Sequence, residues 1–289
     1  MTTYGYIGLG QMGAAMASRL IATGAAVTVF DLDPSAIDSL VDQGAIAAAS
    51  TAEIARNCDI ISICVPAHAH IEALLTDANG LRTGGRSDQT ILIHSTVSPE
   101  TISWACATAR EWGVELFDAC VAGGADAAKA GEVVVLAGGV SAMNEATVAL
   151  LDIYGTLVIN GGSVGAGAAL KVGVNLMNYA QFAAASTAYE IVRANGGDPE
   201  ALFAAWRHVG QLGKMTEGFI QLFGLPASMI NSDLRDSLDR ASTLAAKDVQ
   251  LAEDLISAKD ARSQLITALR IAMPTVFDIS DDQRGGNDV

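Results

Sequence analysis

The chain has 289 residues and a formal net charge of −15, from 17 Lys and Arg against 32 Asp and Glu. So acidic a surface repels phosphate backbones and argues against nucleic acid as a general partner. The sequence lacks a continuous apolar run long enough to cross a membrane and has no basic segment at its N-terminus. Its four cysteines form no CxxC pair. We therefore expect a cytoplasmic protein with two domains, no membrane association and no secretory signal.

The first half of the sequence alternates short apolar runs with amphipathic stretches. The apolar runs predict strands at residues 4–9, 26–31, 59–65, 90–94, 115–119, 133–137 and 156–159. The amphipathic stretches predict helices at residues 11–23, 34–43, 51–57, 68–75, 99–112 and 142–153. Several strands are almost continuously apolar, as parallel strands covered on both faces are. This alternation predicts a doubly wound α/β sheet.

The pattern changes at Gly161-Gly162. Residues 166–194 predict one long helix of roughly 40 Å, which ends before Asn195-Gly196-Gly197. Helical patterns then continue to about residue 274, and the polar tail at 281–289 is expected to fray. We predict an α/β domain over residues 1–162, and a long helix with an all-α domain over residues 163–289.

A glycine pattern joins the first predicted strand to the first helix. Residues 8–13 read Gly-Leu-Gly-Gln-Met-Gly, in which the glycines allow a tight turn, close approach of a pyrophosphate and close helix packing. Asp31 ends the second strand, where an acid binds the adenosine ribose hydroxyls and repels the 2′-phosphate of NADP. The pattern predicts NAD as cofactor; a glycine-rich turn beside a solvated acid is the alternative. The predicted ligands of NAD in this segment are Gly8, Gly10, Gln11, Met12, Gly13 and Asp31.

Lys171 and Asn175 are four residues apart in the predicted long helix and share one face. Their neighbours in sequence are apolar. A lysine in such a setting either extends its amine from a core helix to solvent or is placed for proton transfer. Asn175 can donate and accept hydrogen bonds, so it can orient both a hydroxyl and the lysine. The spacing alone leaves both interpretations open.

Further segments lie in order along the chain: Ser95-Thr96-Val97-Ser98-Pro99, Asp118-Ala119-Cys120-Val121-Ala122-Gly123-Gly124, Gly165-Ala166-Gly167-Ala168-Ala169-Leu170-Lys171 and Lys247-Asp248-Val249. With the glycine loop, they make the sequence resemble the β-hydroxyacid dehydrogenase family. That family includes 3-hydroxyisobutyrate dehydrogenase, tartronate semialdehyde reductase and, more distantly, 6-phosphogluconate dehydrogenase. The resemblance implies a Rossmann domain, a long interdomain helix and an all-α C-terminal domain, assembled as a homodimer or homotetramer.

The resemblance also implies an activity. It is hydride transfer between the nicotinamide of NAD and a β-hydroxy acid, or a related alcohol or semialdehyde, with no metal. Lys171 would be the general acid/base and Asn175 would hold a small substrate, expected to be a carboxylate. The substrate loop would be Ala122, Gly123 and Gly124, and further cofactor contacts would come from Val65, Pro66, Thr96 and Lys247.

The sequence departs from the family pattern around the substrate. Ala122 stands where a serine usually binds the substrate carboxylate, and Cys120 replaces a proline. Arg240 lies near a position where the family commonly has phenylalanine. One hypothesis is that Arg240 supplies a bidentate anion site that compensates for Ala122; a solvated surface arginine is the equal alternative.

Two other functions remain open at this point. Imine reductases share the predicted layout and use NAD(P)H, but they usually lack the lysine that this chain retains at position 171. A cofactor-binding scaffold without activity is the second alternative, which the altered substrate loop keeps open. His68 and His70 are two residues apart in a predicted helix and do not face the same way, so we predict no metal site there.

Overall fold

The computed structural model describes residues 2–226, 229–257 and 260–278; the tail predicted to fray lies outside these ranges. The chain divides into two compact units, Met1–Lys171 and Val172–Val289. This division falls inside the long helix Ala166–Ala194. The domain boundary predicted after residue 162 lies just before that helix.

Unit 1 is built on an eight-stranded sheet with the order β3-β2-β1-β4-β5-β6-β7-β8. The strands are β1 (Tyr4–Ile7), β2 (Val27–Phe30), β3 (Ile46–Ala47), β4 (Ile60–Ile63), β5 (Thr90–Ile93), β6 (Glu115–Ala122), β7 (Val133–Ala137) and β8 (Gly155–Asn160). The doubly wound sheet predicted from the sequence is confirmed. The two-residue strand β3, whose residues are both exposed, was not predicted.

Parallel pairing brings the carboxyl ends of the central strands to one edge of the sheet. Ile7 pairs with Phe30 on one side and with Ile63 on the other. Ile63 pairs in turn with Ile93, and Ile93 with Asp118. The order reverses between β1 and β4, the topological switch point where ligands bind in open α/β sheets. The loops after β2, β1, β4 and β5 therefore follow one another along this edge, next to Asp118 of β6.

One strand pairing corrects the sequence interpretation. Strands β6 and β7 are antiparallel, with Ala122 paired to Val134, although both are apolar runs typical of parallel strands. A seven-residue helix, α7 (Gly124–Ala130), was also not predicted. It lies between the two strands, where the short connection reverses the chain direction.

The remaining helices of unit 1 agree with the sequence pattern to within a few residues, except for one additional short helix. Side-chain oxygens cap several of them; for example, Ser98 accepts a hydrogen bond from the N–H of Thr101 at the start of α6. The short helix α5 was not predicted. The bounds are α1 (Gln11–Ile21), α2 (Pro34–Val41), α3 (Thr51–Asn57), α4 (His68–Thr76), α5 (Leu81–Gly84), α6 (Pro99–Arg110) and α8 (Glu145–Tyr154).

In the described ranges, unit 2 contains most of the long helix and four more α-helices. They are α9 (Ala166–Ala194), α10 (Pro199–Val209), α11 (Lys214–Ile220), α12 (Ser232–Leu255) and α13 (Ala261–Val276). Its core includes Phe182 stacked on Phe219 at 4.3 Å between ring centroids. No helix in the described ranges combines the length and apolarity that a membrane crossing requires.

Candidate cofactor and proton-transfer site

Packing within unit 1 explains two of the three glycines in the loop after β1. Gly8 has a φ of 87°, in the left-handed region, and a Cβ there would overlap the carbonyl oxygen of Cys64. A Cβ on Gly13 would overlap the carbonyl oxygen of Gly8. The first and last glycines therefore let the loop turn and let α1 approach the sheet.

Gly10 is different because the protein itself gives no reason for a glycine there. Its φ of −62° suits any residue, and a Cβ would meet nothing within 4 Å. Gly10 precedes the first turn of α1, which has no side-chain cap. The open space lies at a helix N-terminus, the arrangement that binds phosphate groups. We call the space at Gly10, together with the N-terminus of α1, the cradle. It fits the pyrophosphate of a dinucleotide.

Asp31, which follows β2, contacts the same loop. Its Oδ2 accepts a hydrogen bond from the N–H of Leu9 at 2.5 Å. Its Oδ1 accepts one from the N–H of Asp33 at 2.9 Å. The side chain of Asp33 caps α2 by accepting hydrogen bonds from the hydroxyl and the backbone N–H of Ser35. These two bonds lower the pKa of Asp33. Asp31 is thus the acid at the glycine loop, whereas Asp33 has a local capping role.

The loops after β4 and β5 are joined by a hydrogen bond. The N–H of Val65 donates to Oγ of Ser95 at 2.8 Å. This bond ties Val65 and Pro66 to the segment that contains Thr96. Three of the predicted cofactor contacts, Val65, Pro66 and Thr96, therefore lie at the same sheet edge as the glycine loop.

A buried histidine lies beneath this edge. Nδ1 of His94 is 2.6 Å from the carbonyl oxygen of Ala119, and Nε2 is 3.0 Å from Oγ of Ser62. Ser62 also contacts the hydroxyl of Tyr154 at 3.2 Å. Burial lowers the pKa of His94 to about 4, so the ring is neutral at physiological pH. His94 joins β4, β5 and β6 through one polar chain.

The predicted substrate loop ends in two glycines with positive φ, 143° at Gly123 and 83° at Gly124. Ala122 is half-buried. Cys120, which replaces the usual proline, is buried, and its Sγ donates to the carbonyl oxygen of Ser95 at 3.3 Å. This contact gives the cysteine a packing role and fastens the loop to β5.

Asp118 connects this sheet edge to the long helix. It is fully buried, and its two carboxylate oxygens accept hydrogen bonds from the N–H groups of Gly165 at 2.7 Å and Ala168 at 2.8 Å. A Cβ on Gly167 would approach the same carboxylate. The carboxylate therefore caps α9, and the glycine at 167 makes room for it.

Lys171 and Asn175 follow on α9, one turn apart. Lys171 is half-buried and Asn175 is only 7% exposed. Nδ2 of Asn175 donates to Oδ2 of Asp248 on α12 at 2.6 Å. Within unit 2, this contact brings together the segments that contain Asn175 and Lys247, which the sequence motifs had identified separately.

Asp248 is the centre of a buried polar cluster in unit 2 and is 2% exposed. The hydroxyl of Tyr179 donates to Oδ2 at 3.2 Å. Nζ of Lys247 lies 3.0 Å from Oδ1 as an ion pair, without the orientation of a hydrogen bond. Burial, together with the nearby carboxylate, raises the pKa of the Tyr179 phenol well above its ordinary value. The phenol of Tyr179 therefore stays protonated and remains a hydrogen-bond donor to Asp248.

Arg240 is exposed on α12, seven residues before Lys247. That spacing places Arg240 and Lys247 on the same side of the helix. No contact among the described residues shows a binding role for Arg240. Within the described ranges, no group of three metal-ligating side chains comes together.

The sequence motifs alone indicate no role for Asp118, Asp248 or His94. The sequence does contain a signal for each. Asp118 and His94 interrupt or end strongly apolar strands, and Asp248 lies on the apolar face of α12 with Ala245 and Ala252. A polar side chain in such a position is buried and requires a partner. The partner itself is distant in sequence and could not be identified.

A family model described as the NAD binding domain of 6-phosphogluconate dehydrogenase matches residues 3–164. Two relatives come from Pseudomonas aeruginosa. One is named NAD-dependent L-serine dehydrogenase and is 34% identical over 70% of this chain and 68% of its own. The other is named 3-hydroxyisobutyrate dehydrogenase and is 32% identical over the same shares. The chain belongs to the β-hydroxyacid dehydrogenase family. It is an oxidoreductase with an NAD(P)-binding domain.

Solved structures agree with this family. A 3-hydroxyisobutyrate dehydrogenase from Salmonella typhimurium is 25% identical, covers 95% of this chain and 94% of its own, and has a TM-score of 0.77. An imine reductase variant from Myxococcus stipitatus in complex with NAD+ is 20% identical, covers 98% of each chain and has a TM-score of 0.67. The imine reductase likeness shows the shared fold alone.

Proposed function

We propose that this β-hydroxyacid dehydrogenase family member uses NAD to oxidise a β-hydroxy acid or a related alcohol, or to reduce the corresponding semialdehyde. The observation that carries the proposal is the position of Lys171 on α9, one turn before an Asn175 that is held by a buried carboxylate. The amine can take a proton from a hydroxyl or return one, and the amide on the same helix face can hydrogen-bond the groups that react.

The cofactor would be held mainly by the loops at the carboxyl edge of the sheet. The N-terminus of α1 and the space at Gly10 would receive the pyrophosphate, and Asp31 would bind the ribose hydroxyls. The negative charge of Asp31 is the support for NAD over NADP. Val65, Pro66, Thr96 and Lys247 are proposed as further cofactor contacts, with Thr96 near the nicotinamide. When bound, the nicotinamide ring exchanges a hydride with the substrate carbon.

The proton steps belong to Lys171. In the oxidative direction, its neutral amine takes the proton from the substrate hydroxyl as the C–H hydride leaves. In the reductive direction, its ammonium returns a proton to the carbonyl oxygen. Asn175 positions the substrate relative to the amine of Lys171. The retained lysine also supports a dehydrogenase over an imine reductase or an inactive scaffold.

The substrate is proposed to be a carboxylate bound by the backbone N–H groups of Gly123 and Gly124. Because Ala122 cannot offer a hydroxyl, Arg240 would supply the missing donors to the anion. Arg240→Ala is expected to raise KM for an acidic substrate at least fivefold. The matched control is Arg235→Ala, which removes another exposed arginine from α12. A change in KM of less than about twofold would reject a role for Arg240.

The test of the whole proposal is a substrate panel. Reduction of NAD+ and NADP+ would be followed with hydroxy acids of increasing size and with the matching alcohols that lack the carboxylate. We expect turnover of at least one hydroxy acid with NAD+, with the matching alcohol poorer. Turnover of cyclic imines with NADPH instead would favour an imine reductase. Binding of NADH without any turnover would favour a scaffold.

We also propose that the chain forms a homodimer or homotetramer and acts in the cytoplasm. The family resemblance supports the assembly. The cysteine pattern supports the location. Light scattering of the purified protein tests the assembly, and a particle mass close to the 29.7 kDa of one chain would contradict it.

A further inference from the structure

We propose that Asp248 is a positioning residue: its carboxylate fixes the amide of Asn175 so that the carbonyl oxygen Oδ1 is presented as a hydrogen-bond acceptor to the reacting groups. Asp248 touches neither substrate nor cofactor in this proposal and acts only through Asn175. The orientation rests on the contacts within unit 2. Its effect on catalysis rests on the function proposed above.

The contacts leave one orientation for the amide. The carboxylate of Asp248 can only accept hydrogen bonds, and its Oδ2 lies 2.6 Å from Nδ2 of Asn175. A flipped amide would place two oxygens at that distance. Tyr179 donates to the same Oδ2 and Lys247 lies beside Oδ1, so both oxygens of Asp248 face donors. The amide nitrogen of Asn175 is therefore committed to Asp248.

The orientation gives Asn175 a specific chemical role. The nitrogen and oxygen of an amide diverge from one trigonal carbon, so with Nδ2 on Asp248 the Oδ1 atom faces another direction. An acceptor there suits an N–H or O–H donor and does not suit a developing oxyanion. Lys171 precedes Asn175 by four residues, the spacing at which helix side chains meet. We infer that Oδ1 accepts from the amine of Lys171 and aims it at the substrate.

Exchanging the side chains of Asn175 and Asp248 tests which of the two must donate the hydrogen bond. Asp248→Asn keeps the shape but lets the new amide donate to Oδ1 of Asn175, which would turn the Asn175 amide around. Asn175→Asp places two carboxylates against each other. In the double variant N175D/D248N, the amide at 248 donates to the carboxylate at 175, which still has a second oxygen as an acceptor. The swap therefore restores both the hydrogen bond and the acceptor, at the same net charge.

The experiment compares the kinetics of the wild type, D248N, N175D and N175D/D248N, with Tyr179→Phe as the matched control. Tyr179→Phe removes the other donor to Oδ2 and leaves the Asn175 contact. We expect each single variant to lower kcat at least tenfold. The swap should recover kcat to within about fivefold of the wild type, and Y179F should change it less than threefold.

Folding is checked by urea unfolding of every variant. If the folded swap has a kcat no better than the poorer single variant, or if D248N has a wild-type kcat, Asp248 does not set the role of Asn175. KM is measured together with kcat. A purely structural defect would not be reversed by exchanging the two side chains, so it would leave kcat of the swap low.

A second measurement is independent of activity. The side-chain amide resonance of Asn175, assigned by its loss in N175D, is expected to exchange slowly with solvent and to shift more in D248N than in Y179F. Rapid exchange, as in a solvated asparagine, would overturn the proposed orientation. If the wild type turns over no substrate, the proposed function fails, and this resonance still decides whether Asp248 orients Asn175.

Discussion

The carboxylate of Asp118 accepts a hydrogen bond from the backbone N–H of Gly165 at 2.7 Å. The two residues are 47 positions apart, and Asp118 is fully buried. Because the second carboxylate oxygen accepts from Ala168, the first turn of α9 is fastened to β6. Lys171 follows one turn later. The strand that leads into the proposed substrate loop thus also fixes the start of the helix that contains the proposed acid/base.

Removing this carboxylate is expected to destabilise unit 1. Asp118→Ala leaves two buried N–H groups without their charged acceptor, which should lower the free energy of unfolding by about 3 kcal/mol. Asp126→Ala, at an exposed acid in the first turn of α7, is the control and should change it by less than about 0.5 kcal/mol. Urea unfolding followed by circular dichroism measures both. Equal stability of the two variants would contradict a capping role for Asp118.

Gly10 and Gly13 are expected to respond in opposite ways to the same substitution. Gly10→Ala adds a methyl group to open space, so stability should stay within about 0.5 kcal/mol while the Kd for NADH rises at least tenfold. Gly13→Ala forces its methyl group against the carbonyl of Gly8 and should cost about 2 kcal/mol of stability. NADH fluorescence titration and urea unfolding make the comparison. NADH binding by G10A as tight as in the wild type would show that the cradle holds no pyrophosphate.

Local patterns in the sequence predicted the parts of the site that local chemistry determines. The glycine loop, Asp31 and the spacing of Lys171 and Asn175 are each encoded within a short segment, so their positions follow from strand and helix periodicity. The contacts of Asp118 with Gly165 and of Asp248 with Asn175 join residues 47 and 73 positions apart. Such pairs depend on the tertiary fold, and periodicity contains no information on them.

Some elements also escaped prediction for local reasons. Helix α7 consists of glycine, alanine, one acid and one lysine, so it lacks the apolar periodicity that identifies a helix. The antiparallel pairing of β6 with β7 was missed because buried strands of either direction appear as the same apolar run. Strand β3 has only two residues, fewer than any alternation pattern needs.

Asp31 is expected to set the preference between the two dinucleotides. Asp31→Asn keeps an acceptor for the N–H of Leu9 but removes the charge that repels the 2′-phosphate of NADP. The ratio of the Kd for NADPH to the Kd for NADH should fall at least tenfold. Asp33→Asn, at the residue that caps α2, is the control and should change this ratio less than threefold. An unchanged ratio in D31N would remove Asp31 from cofactor selection.

His94 is expected to make the protein sensitive to acid. Its pKa in the folded protein is lowered from 6.5 to about 4, so the unfolded chain binds a proton first as the pH falls. The histidine therefore costs no stability above pH 6.5, and the free energy of unfolding should decrease by about 3 kcal/mol between pH 6.5 and 4.

The matched variants are His94→Gln and His70→Gln, the second at an exposed histidine. Urea unfolding between pH 7 and 4 should show a shallower loss of stability in H94Q than in the wild type, because the titrating ring is gone. H70Q should follow the wild type. If H94Q and the wild type lose stability in parallel, His94 does not stay neutral in the folded protein.

The central claim is that the amine of Lys171 carries the proton during hydride transfer, and kcat of Lys171→Ala tests it most directly. With the best hydroxy acid of the panel, we expect kcat to fall at least a hundredfold while the Kd for NADH changes less than about threefold. Lys214→Ala, at an exposed lysine on α11, should keep wild-type kcat. A kcat of K171A within tenfold of the wild type would contradict the account.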